Sequence, residues 1–468
     1  MRRIRGRLSG RPRDDAGADP PARNDALRGA RAAALECERI YESEHQVKDD
    51  ALRALSAACA KCGTCRTVCT LYPERKSEIA VARGKIALVE AALDGRDVDA
   101  EGVQEALSDC LLCGRCERAC PNQVLVEEII MKGRADLAEE IGIPAWKRIV
   151  FGKVLPSPGA KGGLRGAAAV GQKLLPGRVP TASGLHYRFP ESFGLGGRTL
   201  PGIPRKSFME SLAPGEAVRG DVMLFVGCVF DHLFPQVGRA SYETLKCSGS
   251  GVAVFRDAAC CGLPAMVSGD RESALRCVED NVRALRAADP RRIVFPCGSC
   301  LLMFKRNIFS LLPKAHPLYA DAVAVSNRCV DYAGHILESG VVSRLPDPPE
   351  GDKVGEIGYH DPCHLSGTLG RGKEARELLG KAVGPAFSEM AGADLCCGYG
   401  GTFNIRDYPT SARIGENKVS LAAKGGTTVI STACSGCILQ MRDMAARTDP
   451  AVRVVHIAEL VFQALSRR

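Results

Sequence analysis

Two groups of four cysteines with the same spacing constrain this chain more than any other feature of its sequence. Both groups read C-x2-C-x2-C-x3-C, with Cys59, Cys62, Cys65 and Cys69 in the first and Cys110, Cys113, Cys116 and Cys120 in the second. Three cysteines at this spacing wrap a short loop around one [4Fe-4S] cubane, and the fourth binds the neighbouring cluster. The spacing therefore predicts two cubanes with crossed ligation. One is held by Cys59, Cys62, Cys65 and Cys120, and the other by Cys110, Cys113, Cys116 and Cys69.

Zinc and disulfides are the alternatives for so many cysteines. Zinc uses four ligands, usually two from each of two C-x2-C knuckles, and the doubled group exceeds that need. The chain begins Met1-Arg2-Arg3 without the apolar stretch of a signal peptide, so we expect it in the cytoplasm, where thiols stay reduced. Metal binding is therefore the expected role. Thr70 stands where the second group has Pro121, which could alter local geometry or potential but removes no ligand.

Ten further cysteines form a repeat in the second half of the chain. The first copy has Cys228, Cys260, Cys261, Cys297 and Cys300, and the second has Cys363, Cys396, Cys397, Cys434 and Cys437. Matching cysteines are 135 to 137 residues apart, and such regular spacing indicates a duplicated module. Strands are predicted at 221–227, 292–296, 355–360 and 427–431, and helices at 272–288 and 409–423. This alternation favours parallel α/β packing.

The repeat carries a resemblance to known families. Each copy resembles the CCG cysteine-rich domain of the B and D subunits of heterodisulfide reductase, whose complete motif binds a noncubane [4Fe-4S] cluster. The resemblance implies one or two such clusters, held by the five cysteines of each copy. The layout of residues 51–468, including the stretch 82–86, resembles the iron-sulfur subunits of bacterial glycolate oxidase and lactate dehydrogenase. The stretches 227–235, 396–403 and 455–459 also resemble iron-sulfur proteins of lactate utilisation.

The function implied by this resemblance is electron transfer. The sequence has no G-x-G-x-x-G dinucleotide fingerprint, and in the resembled family a separate FAD subunit takes the hydride from glycolate or lactate. This chain would pass the electrons to a quinone or another carrier, and no catalytic residue is identified in it. Some members of the oxidase families lack a cysteine of the final C-x2-C, whereas all ten are present here. A disulfide-reducing subunit is therefore the alternative, and a non-catalytic redox sensor is a third.

The predicted fold is α+β and multidomain. A disordered basic tail at 1–34 precedes a helical two-cluster ferredoxin domain at 35–150, a linker at 151–220, and two α/β CCG domains at 221–345 and 346–468. The tail holds nine Arg and four Asp of a chain whose net charge is +9, so the remainder is nearly balanced. No basic stripe with interleaved aromatic residues suggests nucleic acid, and no apolar run is long enough to span a bilayer. Contact of the tail with an anionic membrane surface, such as the inner membrane, or with a partner is the alternative to a solvated arm.

Local patterns give finer predictions. Helices are expected at 35–58, 79–93, 103–108 and 124–140, which favours a helical ferredoxin domain, and 155–206 is expected to be an extended linker lying over a neighbour. The isolated cysteines are expected to be free and buried; they are Cys37, Cys247, Cys277 and Cys329. His360 and His364 flank Cys363 and are expected to hydrogen-bond to backbone or cluster sulfur, with a proton-donor role as the alternative.

Overall fold

A computed structural model describes residues 46–174, 177–189, 197–256, 258–348 and 356–467. The predicted basic tail, Cys37 and the first part of the helix predicted at 35–58 lie outside the described residues. Residues from 52 onward form one compact unit, which contains all the paired and repeated cysteines. In the described part of the chain, no helix is long and apolar enough to cross a membrane.

The amino-terminal part is helical, as the apolar spacing predicts. Its helices and helical turns are Gln46–Ala57, Thr64–Val68, Tyr72–Arg75, Glu78–Ala80, Ala82–Leu93, Ala100–Ser108, Arg115–Arg118, Val126–Ile141 and Ala145–Ile149. Ile86, Leu107 and Ile129 from three of these helices are almost fully buried in one apolar cluster. The two cysteine groups lie in loops and short helical turns that pack against this apolar cluster.

The segment predicted as an extended linker has regular structure instead. A helical turn at Val150–Val154 and the helix Pro158–Gly171, with a short turn at Gln172–Leu174, precede an antiparallel sheet of Gly177–Thr181 (β1), Gly184–Arg188 (β2) and Thr199–Pro201 (β3). The backbone and side chain of Thr199 both donate to Asp443 at 2.8 Å, and the backbone N–H of Phe208 donates to the Asp231 carbonyl. The segment therefore packs against both halves of the repeat.

The first repeat contains a parallel sheet in the order β5-β4-β6-β7. Its strands are Val222–Leu224 (β4), Val252–Val254 (β5), Arg292–Phe295 (β6) and Cys329–Asp331 (β7). Its helices and helical turns are Met209–Ser211, Cys228–His232, Pro235–Lys246, Leu263–Met266, Arg271–Ala288, Gly298–Leu302, Met303–Asn307, Ile308–Leu311, Tyr319–Arg328, Tyr332–Glu338 and Val341–Arg344. β4 and β6 match predicted strands, whereas β5 and β7 were not predicted.

The second repeat contains a parallel sheet in the order β10-β9-β8. Its strands are Ile357–Tyr359 (β8), Val429–Thr432 (β9) and Arg453–His456 (β10). Its helices and helical turns are Cys363–Thr368, Lys373–Val383, Gly384–Ala386, Phe403–Arg406, Tyr408–Lys424, Ser435–Thr448 and Ile457–Leu465. One contiguous apolar core extends through both repeats, from Phe151 to Ala464, so the two sheets are fixed relative to each other.

Candidate metal centres

The two amino-terminal cysteine groups adopt the same turn. In each group the residues before and after the second cysteine have positive φ: Lys61 (57°) and Gly63 (88°) in the first, Leu112 (50°) and Gly114 (65°) in the second. Left-handed residues on both sides of a cysteine curl the backbone sharply, and glycine adopts that conformation without strain. The loop therefore wraps around the place where its cysteines converge.

One cavity collects the first predicted set of ligands. Cys59, Cys62 and Cys65 line it together with Cys120 of the second group. The walls include Ala82, Ile86, Val124 and Val126, and Cys62 is on the exposed side. Cys116 also lines this cavity, so the first and second sets adjoin.

The second predicted set also comes together across the two groups. Burial raises the pKa of Cys69 to about 11, with further contributions from the neighbouring charges of Cys110 and Cys113. Burial likewise raises the pKa of Cys116, and Cys110, Cys113 and Cys69 add to that rise. The fourth cysteine of each group, Cys69 or Cys120, therefore lies beside the first three cysteines of the other group. Ligation by these two sets remains a prediction.

The first CCG site forms at the carboxyl ends of the adjacent strands β4 and β6. Cys228 begins the helix after β4, and Cys297 precedes the helix after β6. The Cys228 thiol forms a hydrogen bond with the Cys260 thiol. This hydrogen bond and, to a smaller extent, burial raise the pKa of Cys228. Hydrogen bonds from Cys260 and then Cys300 lower the pKa of Cys261 to about 6. All five predicted cysteines therefore lie in one network of contacting thiols.

The second CCG site repeats this arrangement after β8 and β9. The Cys363 and Cys396 sulfurs are 4.0 Å apart, and those of Cys397 and Cys437 are 3.5 Å apart. Gly398 has φ of 86°, and its N–H donates to the Cys396 sulfur at 3.4 Å. A Cβ at Gly398 would lie 2.8 Å from the Ser411 carbonyl oxygen, so the third residue of the CCG motif must be glycine here.

The two CCG sites meet through their C-x2-C turns. Hydrogen bonds from Cys300 and from Cys434 lower the pKa of Cys297, which places the thiols of Cys297 and Cys434 in contact. Ser299 of the first turn lies 3.3 Å from the Cys434 sulfur, and Ser435 of the second lies 3.4 Å from the Cys297 sulfur. Each turn thus supplies a hydroxyl to the thiol of the other.

The second CCG site also meets the second ferredoxin set. Hydrogen bonding with Cys396 lowers the pKa of Cys113 to about 6. Around this contact, Leu71, Leu111, Phe403 and Ile414 form a separate buried apolar cluster that includes Cys396. This cluster keeps water away from the junction between the ferredoxin part and the second repeat.

The histidines that flank Cys363 differ in their surroundings. The Nδ1 atom of His364 lies 2.9 Å from the Ser299 hydroxyl, and its Nε2 atom lies 3.3 Å from the Leu112 carbonyl oxygen. His364 therefore links both repeats to the ferredoxin part, in agreement with the predicted hydrogen bond to backbone. His360 is fully buried; no nitrogen or oxygen atom of the described residues pairs with its ring, and the polar group beside it is the Cys397 thiol.

A cation accompanies each of the four cysteine sets, a feature that the sequence patterns did not reveal. The negative charges of Cys62 and Cys65 contribute to a raised pKa of Arg83. Those of Cys110 and Cys69 favour the charged form of Lys85 in the same way. Lys161 lies near Cys228, and Lys418 lies near Cys397 and Cys437. Burial lowers the pKa of Lys85 and of Lys418 to about 8.

These buried lysines are stabilised by backbone carbonyls. Lys85 donates to the Ala106 carbonyl, Lys161 donates to that of Ala258 at 3.1 Å, and Lys418 donates to three carbonyls in the loop before the second CCG motif. A buried cation is costly unless it faces negative charge. The cations and the thiols together fit an anionic, thiolate-bound group such as an iron-sulfur cluster. Lysine within the apolar run 79–93 was the available sequence signal for Lys85.

The isolated cysteines lie apart from the four sets. Cys277 and Cys329 are buried, and burial raises the pKa of each thiol, as expected for unreactive core residues. Cys247 is only half-buried, and its thiol donates to the Glu243 carbonyl at 3.4 Å. The expectation of burial therefore fails for Cys247.

Comparison with known proteins assigns the chain to a family. Residues 56–124 match the 4Fe-4S dicluster domain, and residues 222–305 and 357–442 match the CCG cysteine-rich domain. A lactate utilization protein A of Bacillus pumilus (strain SAFR-032) is 31% identical over 242 residues, which cover 98% of that relative and 51% of this chain. The chain therefore belongs to the family of lactate utilization protein A.

Two longer relatives extend the match over nearly the whole chain. A probable glycolate oxidase iron-sulfur subunit of Bacillus subtilis (strain 168) is 27% identical over 428 residues, covering 88% of this chain and 94% of the relative. The glycolate oxidase iron-sulfur subunit of Escherichia coli (strain K12) is 27% identical over 427 residues, covering 89% and 97%. The predicted family, the α+β multidomain fold and the role in iron-sulfur electron transfer are thereby confirmed.

Proposed function

We propose that this family member carries electrons from an FAD subunit, which oxidises glycolate or lactate, to a quinone or another carrier. The observation that supports this most directly is the continuous contact of four cysteine sets. The chemistry supplied by bound iron-sulfur clusters is one-electron transfer, at potentials set by charge, hydrogen bonds to sulfur and exposure. The cysteines would hold two cubanes and one or two noncubane clusters.

The order of the sets follows from their contacts. Cys116 of the second ferredoxin set lines the cavity of the first. Cys113 of the second ferredoxin set contacts Cys396 of the second CCG site, and Cys434 of that site contacts Cys297 of the first CCG site. The order is therefore first ferredoxin set, second ferredoxin set, second CCG site, first CCG site.

The exposed end of this series is the proposed side of the FAD subunit. Cys62 of the first ferredoxin set is exposed, whereas Cys396 and Cys397 are buried. Electron transfer from another protein requires a cluster near the surface, and the first ferredoxin set is the one with an exposed cysteine. With a quinone as the final carrier, the complex would work at the membrane surface.

The first prediction is dependence on a flavoprotein. Purified anaerobically and free of flavin, the chain should not oxidise glycolate or lactate with an artificial dye, because its sequence carries no recognisable hydride-accepting site. Adding the proposed FAD partner subunit should restore electron delivery to the quinone. Oxidation of either hydroxy acid by the flavin-free chain would contradict the proposed function. Boiled chain added to the FAD subunit is the control.

The second prediction concerns crossed ligation. Cys69→Ser should perturb the cluster bound by Cys110, Cys113 and Cys116, because Cys69 lies among them rather than in the cavity of its own group. Iron and sulfide content together with electron paramagnetic resonance would measure the loss. Cys247→Ser, which changes a half-buried cysteine outside all four sets, is the matched control. Loss confined to the cluster of Cys59, Cys62 and Cys65 would show that the pairing is wrong.

Disulfide reduction is the second candidate function. It is favoured by the complete set of ten CCG cysteines and by the contact between the two C-x2-C turns, which brings the two sites to one junction. A disulfide placed there would take two electrons and two protons to give two thiols. The chemically reduced chain should then consume a small organic disulfide and release thiols, whereas the first function predicts no such turnover.

A further inference from the structure

We propose that His360 supplies a nitrogen ligand to an iron ion in the second CCG site, beside Cys397 and Cys437. This inference rests on the proposed occupancy of that site by iron and sulfide. It makes the two CCG sites chemically different, since the first would be bound by cysteine alone.

The geometry of the three groups suits one metal ion. A ring nitrogen of His360 and the sulfurs of Cys397 and Cys437 all lie within 4.8 Å of one another. The two sulfurs are 3.5 Å apart. Ligands that bind a tetrahedral ion at about 2.0–2.3 Å lie roughly 3.5 Å from each other, so the sulfur pair already has the spacing of two ligands on one ion.

The backbone of His360 is held in place, and its ring has the thiol of a predicted cluster ligand, Cys397, as its polar neighbour. Its backbone N–H donates to the Ser431 carbonyl at 2.8 Å, and its own carbonyl accepts from the Thr432 hydroxyl at 3.1 Å. The side chain is 0% exposed, and no nitrogen or oxygen atom in the described part of the chain pairs with its ring nitrogens, which leaves the Cys397 thiol as the neighbouring polar group. Buried polar groups without partners are rare and costly. A metal ligand role would satisfy one nitrogen.

Two other histidines near the CCG sites, His364 and His456, have polar partners for both ring nitrogens. Both ring nitrogens of His364 face polar atoms, the Ser299 hydroxyl and the Leu112 carbonyl. In His456, one ring nitrogen lies 2.8 Å from the Pro296 carbonyl oxygen, and the other accepts from the Ala458 N–H. Among the described histidines, His360 is the one whose ring nitrogen lies within 4.8 Å of two cysteine sulfurs.

The first repeat has no nitrogen donor at the matching position. His360 stands three residues before Cys363, and Phe225 stands three residues before Cys228. Phe225 is fully buried and stacks on Phe295 with ring centroids 4.8 Å apart. The two copies therefore differ at a position that faces the cysteines in the second site. Neutral imidazole in place of thiolate raises the potential of an iron-sulfur centre.

The direct test is pulsed electron paramagnetic resonance on the full chain, purified anaerobically with ¹⁵N-labelled histidine. Partial reduction should give a signal with a coupling from a directly bound ¹⁵N nucleus. That coupling should disappear in His360→Phe. It should persist in His364→Phe, which removes the neighbouring ring, and in His335→Phe, which removes a buried histidine of the first repeat.

His360→Cys provides an independent measurement. A thiolate at this position should retain the iron but shift the one-electron equilibrium of one centre toward oxidation by at least tenfold, about 59 mV for a single electron. Iron bound at the second CCG site without a bound ¹⁵N, or a coupling that survives in His360→Phe, would overturn this inference alone. Absence of iron from that site would overturn it together with the proposed occupancy.

Discussion

Cys396→Ser should lower electron delivery from the complex to its final acceptor by at least about 100-fold, because even changes beside metal ligands cost 10–100-fold. Cys396 contacts Cys113 on one side and Cys363 on the other, so it lies where the ferredoxin part meets the repeats. Reduction of the flavin by the hydroxy acid should keep its normal rate, since that step precedes this junction in the proposed order.

Stopped-flow absorbance can separate these steps by following flavin and iron-sulfur bands after mixing with substrate. The expected trace for Cys396→Ser has rapid flavin reduction and slow or incomplete bleaching of the clusters. Cys277→Ser, a buried cysteine apart from the four sets, controls for the general effect of changing a core thiol. Normal delivery to the acceptor in Cys396→Ser would refute the proposed order of the sets.

Arg134→Met should destabilise the protein by about 3–5 kcal/mol, the cost of disrupting a buried charged hydrogen-bond network. The Arg134 guanidinium is buried and donates to the carbonyls of Leu107, Cys110 and Val267, each at 2.6 Å. Methionine retains most of the side-chain volume but removes the charged hydrogen bonds to all three carbonyls; those of Cys110 and Val267 lose their donor, whereas that of Leu107 keeps the Cys110 N–H. The variant should also lose iron from the second ferredoxin set first, because the Cys110 backbone is no longer fixed.

The apparent melting temperature of the holo-protein and the iron released on gentle heating would measure both effects. Arg148→Met is the control, since Arg148 is exposed on the short helix Ala145–Ile149. Arg134→Lys should fall between the two, because an ammonium group cannot reach all three carbonyls in the planar geometry of guanidinium. An unchanged melting temperature in Arg134→Met would contradict the role assigned to this side chain.

Sequence patterns predicted the candidate cysteines and the local secondary structure better than they predicted long-range contacts. Cysteine spacing predicted the two ferredoxin sets, and the family resemblance implied the two CCG sets; cluster binding by all four remains a prediction. Helices such as Ala82–Leu93 and Arg271–Ala288 and strands such as β4 and β6 also carried readable patterns. The contacts Cys113–Cys396 and Cys297–Cys434 join residues that are distant along the chain, and they depend on tertiary packing that no spacing reports.

Other features were missed for identifiable reasons. The segment at 158–201 looked like a linker because its Gly-rich helix and short antiparallel sheet lack a strong apolar period. The role we assign to His360 could have been suspected by aligning the two copies, since histidine replaces phenylalanine three residues before the first cysteine. Lys418 gave no signal, because its partners are backbone carbonyls, which every residue has.

The reciprocal contact of the two C-x2-C turns has a consequence for the history of the chain. An ancestor with a single module would build such a junction only as a homodimer, in which a twofold axis makes both halves identical. Fusion of the two copies removes that constraint, because a mutation then changes a residue in one copy and leaves the other copy unchanged. Phe225 in one copy and His360 in the other are a difference that no symmetric pair of identical chains could carry.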